Sequence, residues 1–139
     1  MTPAKLSVVI SDDDAMIRDA LREVLDAEPD LEVVGVAADA DEAIDLTRRH
    51  VPAVVVLDVR MPGGGGGRAA REIRRLAPGT GILALSAYAD LAAVEDIRAA
   101  GVTEYIVKGA PNRDIVAAVR RLGTGRTSGE HRSPQRETP

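Results

Sequence analysis

Five short runs rich in aliphatic and β-branched residues recur along the chain: Leu6 to Ile10, Leu31 to Val36, Ala53 to Leu57, Ile82 to Leu85 and Glu104 to Val107. Each has the length of a strand. The third, AVVVL, is apolar throughout instead of alternating, the pattern of a central strand buried on both faces of a parallel sheet.

Segments with helical spacing lie between and after these runs. Ile17, Leu21 and Leu25 form an i, i+4 stripe behind the capping candidates Asp13 and Asp14. Asp39 and Glu42 make a capping-box-like start for a second helix reaching about Arg49. A third is predicted from about Arg68 to Ala77, stopping at Pro78-Gly79. A fourth runs from about Leu91 to Ala100, before Gly101. In the fifth, Pro111 suits the first turn, and Ile115, Ala118, Val119 and Leu122 share one face.

Strand and helix alternate five times with short connections. Right-handed crossovers then give parallel strands with helices on both faces, a doubly wound α/β sandwich over residues 1–122. From Gly123 onward, GTGRTSGEHRSPQRETP has no apolar stripe and reads as a disordered tail or linker, 123–139.

Composition narrows the functional classes. The 139 residues fit one domain, and the only aromatics, Tyr88 and Tyr105, leave an aliphatic core. The absence of cysteine removes disulfides, thiolate metal sites and a Cys nucleophile. No signal-peptide pattern opens the chain, and no apolar run approaches the roughly 20 residues of a membrane helix, so a cytoplasmic protein is expected. The formal charge is −4; the tail carries three Arg and two Glu, which leaves −5 on the rest and disfavours direct nucleic-acid binding.

In an open parallel sheet, ligands bind beyond the carboxyl ends of the strands. There the sequence places Ser11, Asp12, Asp13 and Asp14 after the first strand, Asp58 after the third, Ser86 after the fourth and Lys108 after the fifth. Carboxylates brought this close repel one another unless a cation intervenes, and Mg²⁺ suits an all-oxygen donor set. Asp58 is then a candidate nucleophile toward a phosphoryl group, with Lys108 and Ser86 as partners for its oxygens. Singly, each residue has a plainer reading: helix cap, surface lysine, turn serine.

The segments SDDD (11–14), VVVLDVRMPG (54–63), ILALSAY (82–88) and AGVTEYIVKGA (100–110) resemble those of two-component response-regulator receiver domains over Leu6 to about Leu122. The Arg-Met-Pro-Gly and Lys-Gly-Ala-Pro stretches are similar to receivers of the LuxR/NarL-type subfamily. That resemblance implies a five-stranded flavodoxin-like sheet of order 2-1-3-4-5. It further implies Asp58 as phosphoacceptor; Asp12, Asp13, Asp58 and the Arg60 backbone carbonyl around Mg²⁺; and Ser86, Lys108 and Tyr105 as the phosphate-binding and switch residues. Arg60 and Tyr88 hold positions that tune phosphoryl lifetime. The implied phosphodonor is a sensor histidine kinase, and the chain is not an enzyme beyond its own phosphorylation and dephosphorylation. A homodimer through the face from the fourth to the fifth helix is compatible with the family.

Three features depart from the family pattern. Gly63 to Gly67 is a glycine run read as a flexible loop. Lys108 precedes Gly109 where many receivers have a proline on a cis peptide. No helix-turn-helix pattern follows Leu122, so a stand-alone receiver with a protein partner is expected. The alternatives are the N-terminal receiver of a DNA-binding regulator and a pseudo-receiver that binds partners without phosphorylation.

Overall fold

The computed structural model describes residues 4–87 and 90–132. Strands β1 (Leu6–Ser11), β2 (Leu31–Ala37), β3 (Val54–Asp58), β4 (Gly81–Ser86) and β5 (Glu104–Val107) alternate with helices α1 (Ala15–Asp26), α2 (Ala40–His50), α3 (Gly65–Leu76), α4 (Leu91–Ala99) and α5 (Asn112–Arg132). All strand pairs are parallel, in the order β2-β1-β3-β4-β5. This is the flavodoxin-like order the resemblance implies.

The period of two along each strand divides the core between the faces of the sheet. Val8 and Ile10, Val54 and Val56, and Leu83 and Leu85 pack with Leu21 and Leu25 of α1 and with Ile115 and Val119 of α5. Val9, Val55, Leu57, Ile82 and Ala84 turn the other way, onto Ala40 and Ala43 of α2, Ala69, Ala70 and Ile73 of α3, and Ile97 of α4. Every residue of β3 is buried, as its unbroken apolar run predicts.

Two boundaries differ from the sequence pattern. The first turn of α3 is Gly65–Gly67, not a loop ending at Arg68. The backbone of α5 continues past Leu122 to Arg132, although Gly123, Thr124, Gly125 and Gly129 are poor helix formers. Residues 133–139 lie outside the described residues. Among the described residues, no helix is long and apolar enough to cross a membrane.

Candidate functional site

β1 and β3 are neighbours from which the chain winds in opposite directions, so their carboxyl ends open onto the crevice that such sheets use for ligands. The alternation that buries Val8, Ile10, Val54 and Val56 on the α1/α5 face passes on to Asp12 and Asp58 two residues later. Ile106 on β5 leads in the same way to Lys108. The result is a tight charged group: Lys108 Nζ lies 3.0 Å from Asp12 Oδ2 and 3.1 Å from Asp58 Oδ2.

Three consecutive acids follow β1, and the structure separates their roles. Asp14 caps α1, its carboxylate accepting the Met16 N–H at 2.9 Å. Asp12 is fully buried; its Oδ1 accepts the Asp14 N–H at 2.9 Å, while its carbonyl accepts from Arg18 at 2.8 Å. Asp13 is exposed at the rim. Carboxylate oxygens of Asp12, Asp13 and Asp58 all lie within 4.8 Å of one another.

Asp58 is 2% exposed, and its Oδ1 accepts the Arg60 N–H at 3.1 Å. Burial pushes its carboxyl up to about 6; the Arg60 N–H opposes this, the charge of Asp12 adds to it, and Lys108 opposes it. Burial pulls Lys108 down, but the two carboxylates outweigh it and hold the ammonium above its ordinary value. Two buried carboxylates therefore share one ammonium, and a third acid stands beside them.

Mg²⁺ fits this donor set. The ligand atoms are hard carboxylate oxygens, and Asp12 Oδ2 meets Lys108 only as an ion pair, with no hydrogen bond aligned on it. Asp12, Asp13 and Asp58 are the residues that would hold the ion, which would offset their mutual repulsion and the charge on transferring phosphoryl oxygens.

Ser86 and Tyr105 belong to the opposite face of the sheet. Ser86 is buried at the end of β4, and its carbonyl accepts the Lys108 N–H at 2.9 Å. Tyr105 pairs with Ala84 in the sheet and packs partly buried against the α2/α3/α4 core. Its hydroxyl donates to the Val102 carbonyl at 2.6 Å, and the Arg98 guanidinium lies over its ring, 5.8 Å from the centroid. Tyr88 lies outside the described residues.

The connection from β3 to α3 is held at several points. The Pro62 carbonyl accepts the Ala40 N–H at 3.0 Å, and Arg68 donates to the Gly63 carbonyl at 2.7 Å and to Asp41 at 2.8 Å. Gly63, Gly64 and Gly65 take φ of 90°, 101° and 79°, which glycine adopts without a Cβ penalty. The run expected to be a flexible loop is a formed turn leading into α3. A cleft of about 490 Å³ opens between this connection and α4, lined by Asp13, Arg60, Met61, Gly65, Ala93 and Asp96 among others. The Lys108–Gly109 peptide is trans, with Gly109 at φ 94°.

One contact at the mouth of the site joins residues that no sequence pattern connects. Arg60 forms a two-pronged ion pair with Asp90. In sequence Asp90 shows only as a helix-capping type before Leu91, and nothing in local spacing ties it to Arg60.

Comparison with known proteins gives a consistent result. The family model described as the response regulator receiver domain matches residues 8–120. The oxygen regulatory protein NreC of Staphylococcus haemolyticus is 36% identical over 123 residues, 88% of this chain and 57% of that protein. The transcriptional regulatory protein PdtaR of Mycobacterium tuberculosis is 40% identical over 114 residues, 81% of this chain and 54% of that protein. The chain thus spans little more than half the length of these curated relatives. Among solved structures, the signal receiver domain of the putative response regulator NarL from Mycobacterium tuberculosis superposes with a TM-score of 0.81 at 33% identity, covering 88% of this chain and 99% of that one.

Proposed function

The chain belongs to the response regulator receiver domain family, and from that premise we propose that Asp58 accepts a phosphoryl group beside a bound Mg²⁺ and passes the resulting change to a protein partner. The observation that carries this reading is the convergence of Asp12, Asp13 and Asp58 within 4.8 Å, with the Lys108 ammonium against two of them. An Asp58 carboxylate oxygen attacks phosphorus, the bond from phosphorus to the donor breaks, and the electron pair leaves with the donor. Lys108 pairs with the new anionic oxygens, and Ser86 supplies a hydroxyl to one of them. Hydrolysis later returns inorganic phosphate and the free carboxylate.

The phosphodonor is a phosphohistidine on a sensor kinase, and the output surface runs from β4 to α5, where Ser86 and Tyr105 sit. Self-association through α4 to α5 belongs to the same reading. The phosphoacceptor unit is residues 1–122, with 123–139 a tail or linker toward the output. The same surface would serve an effector on a longer polypeptide; PdtaR, a relative, is named a transcriptional regulatory protein. Arg60 and Tyr88 stand at the sequence positions that tune phosphoryl lifetime in this family, and both are bulky residue types, so Arg60→Asn and Tyr88→Glu should each speed decay of the acyl phosphate.

Incubation with Mg²⁺ and acetyl phosphate or phosphoramidate, followed by intact-mass measurement, tests the proposal. A phosphate-sized gain that is lost in Asp58→Asn is expected. No gain in the wild-type chain would leave a binding module without phosphorylation.

A further inference from the structure

Arg60, the second residue after Asp58, reaches across the mouth of the site to the residue before α4. Its Nε donates to Asp90 Oδ2 at 2.5 Å and its Nη2 to Oδ1 at 2.9 Å. The Arg60 side chain is 69% exposed, whereas the Asp90 side chain is only 12% exposed. Asp90 holds the N-cap position of α4 without forming an aligned capping hydrogen bond; Arg60 is the main influence that lowers its pKa, and the nearby Ala93 N–H is the least. Asp14 and Asp39, at the same position of α1 and α2, both cap. Asp90 is thus drawn toward Arg60 and only weakly engaged in the capping role that its place in the helix offers.

Arg60 is also within electrostatic reach of Asp58. Its pKa stands above the ordinary value, through the hydrogen bond and charge of Asp90 first and the charge of Asp58 least. A phosphoryl group on Asp58 would add charge and three strong acceptor oxygens. A guanidinium fork matches phosphate as well as it matches carboxylate, so two anions would compete for one cation.

We propose that Asp90 is a positioning residue acting through Arg60: it holds the guanidinium away from the unphosphorylated site, and phosphorylation of Asp58 draws Arg60 over and frees Asp90 to cap α4. The proposal rests on Asp58 as the phosphoacceptor. It gives the chemistry at β3 a route to the first turn of α4 that does not pass through Ser86 or Tyr105.

The test is the affinity of the full chain for beryllofluoride, a phosphoryl stand-in, at fixed Mg²⁺. Arg60→Ala should weaken binding several-fold. Asp90→Asn should tighten it several-fold, because Arg60 is released in advance, and Asp90→Glu, which can still grip the guanidinium, should return it toward wild type. In the Arg60→Ala background, Asp90→Asn should have no further effect. Tightening of equal size with and without Arg60, or none in either background, would overturn the inference. Loss of a purely structural contact would lower unfolding stability without that dependence on Arg60. A wild-type chain that fails to bind beryllofluoride would instead sink the phosphoacceptor reading, and the exchange with it.

Discussion

The Lys108 ammonium stands 3.1 Å from Asp58 Oδ2 and is shared with Asp12 Oδ2 at 3.0 Å. One cation between two buried carboxylates leaves a net negative charge in a place poor in water. Charge of this kind is costly unless paired. The site is therefore arranged at some expense of stability, and that expense is what a divalent cation would relieve.

Its size can be read from pH. The folded Asp58 has a pKa of about 6, raised from 3.8 chiefly by burial. The folded state then holds its proton more tightly than the unfolded chain, so stability falls as pH rises from about 4 through 6. Below that window the penalty is absent; above it, the penalty is complete, on the order of 2–3 kcal/mol. Metal-free Asp58→Asn should therefore be more stable than wild type at pH 7.5 by roughly that amount, and the gap should close below about pH 4. Urea unfolding at both pH values checks this; a gap independent of pH would show that Asp58 does not titrate in the window.

Removal of the cation should have the opposite sign. In Lys108→Met the two acids face each other without a counter-charge. Lys108 is one-quarter exposed, so the loss should fall below that of a fully buried pair, about 1–3 kcal/mol in metal-free buffer near neutral pH. Added Mg²⁺ should recover much of it, as read by urea unfolding with and without the ion.

Asp13 is the exposed member of the carboxylate group and makes little contribution to the fold. Asp13→Asn should leave metal-free stability within about 0.5 kcal/mol of wild type. It should also raise the Mg²⁺ concentration needed for a given rise in melting temperature by more than about tenfold. Unchanged Mg²⁺ dependence would place the ion elsewhere.

What was legible in the sequence is what short-range periodicity carries. The unbroken AVVVL run locates the central strand, and alternation by two carries the α1/α5 face of β1 and β3 onward to Asp12 and Asp58. Less was legible where a residue's role depends on a distant neighbour. Arg60 and Asp90 are separated by 30 positions, and no spacing rule joins them. Local preference at the glycine run disfavours helix, whereas its conformation follows from what α3 must approach.

That approach distinguishes adjacent glycines. A Cβ on Gly66 would lie 2.8 Å from the Asp58 carbonyl oxygen and 2.8 Å from Val59 Cα, both backbone atoms that cannot swing aside. Gly66→Ala should therefore displace the first turn of α3 or the end of β3 and cost about 1–3 kcal/mol. Because the shift falls next to Asp58 and to Arg60, whose carbonyl the family resemblance implies as a further metal ligand, Mg²⁺ binding should weaken as well. A Cβ on Gly67 would instead meet the Asp96 carboxylate, the end of a half-exposed side chain that pairs with Arg71 at 3.6 Å and can turn toward solvent. Gly67→Ala gives up little there and gains helix propensity of about 1 kcal/mol, so its stability should equal or slightly exceed wild type with Mg²⁺ affinity unchanged. Urea unfolding and a Mg²⁺ titration on the two variants separate the cases. Equal losses in both would mean that α3 tolerates no added atom on this turn, and that backbone contact at Gly66 is not what fixes the loop behind Asp58.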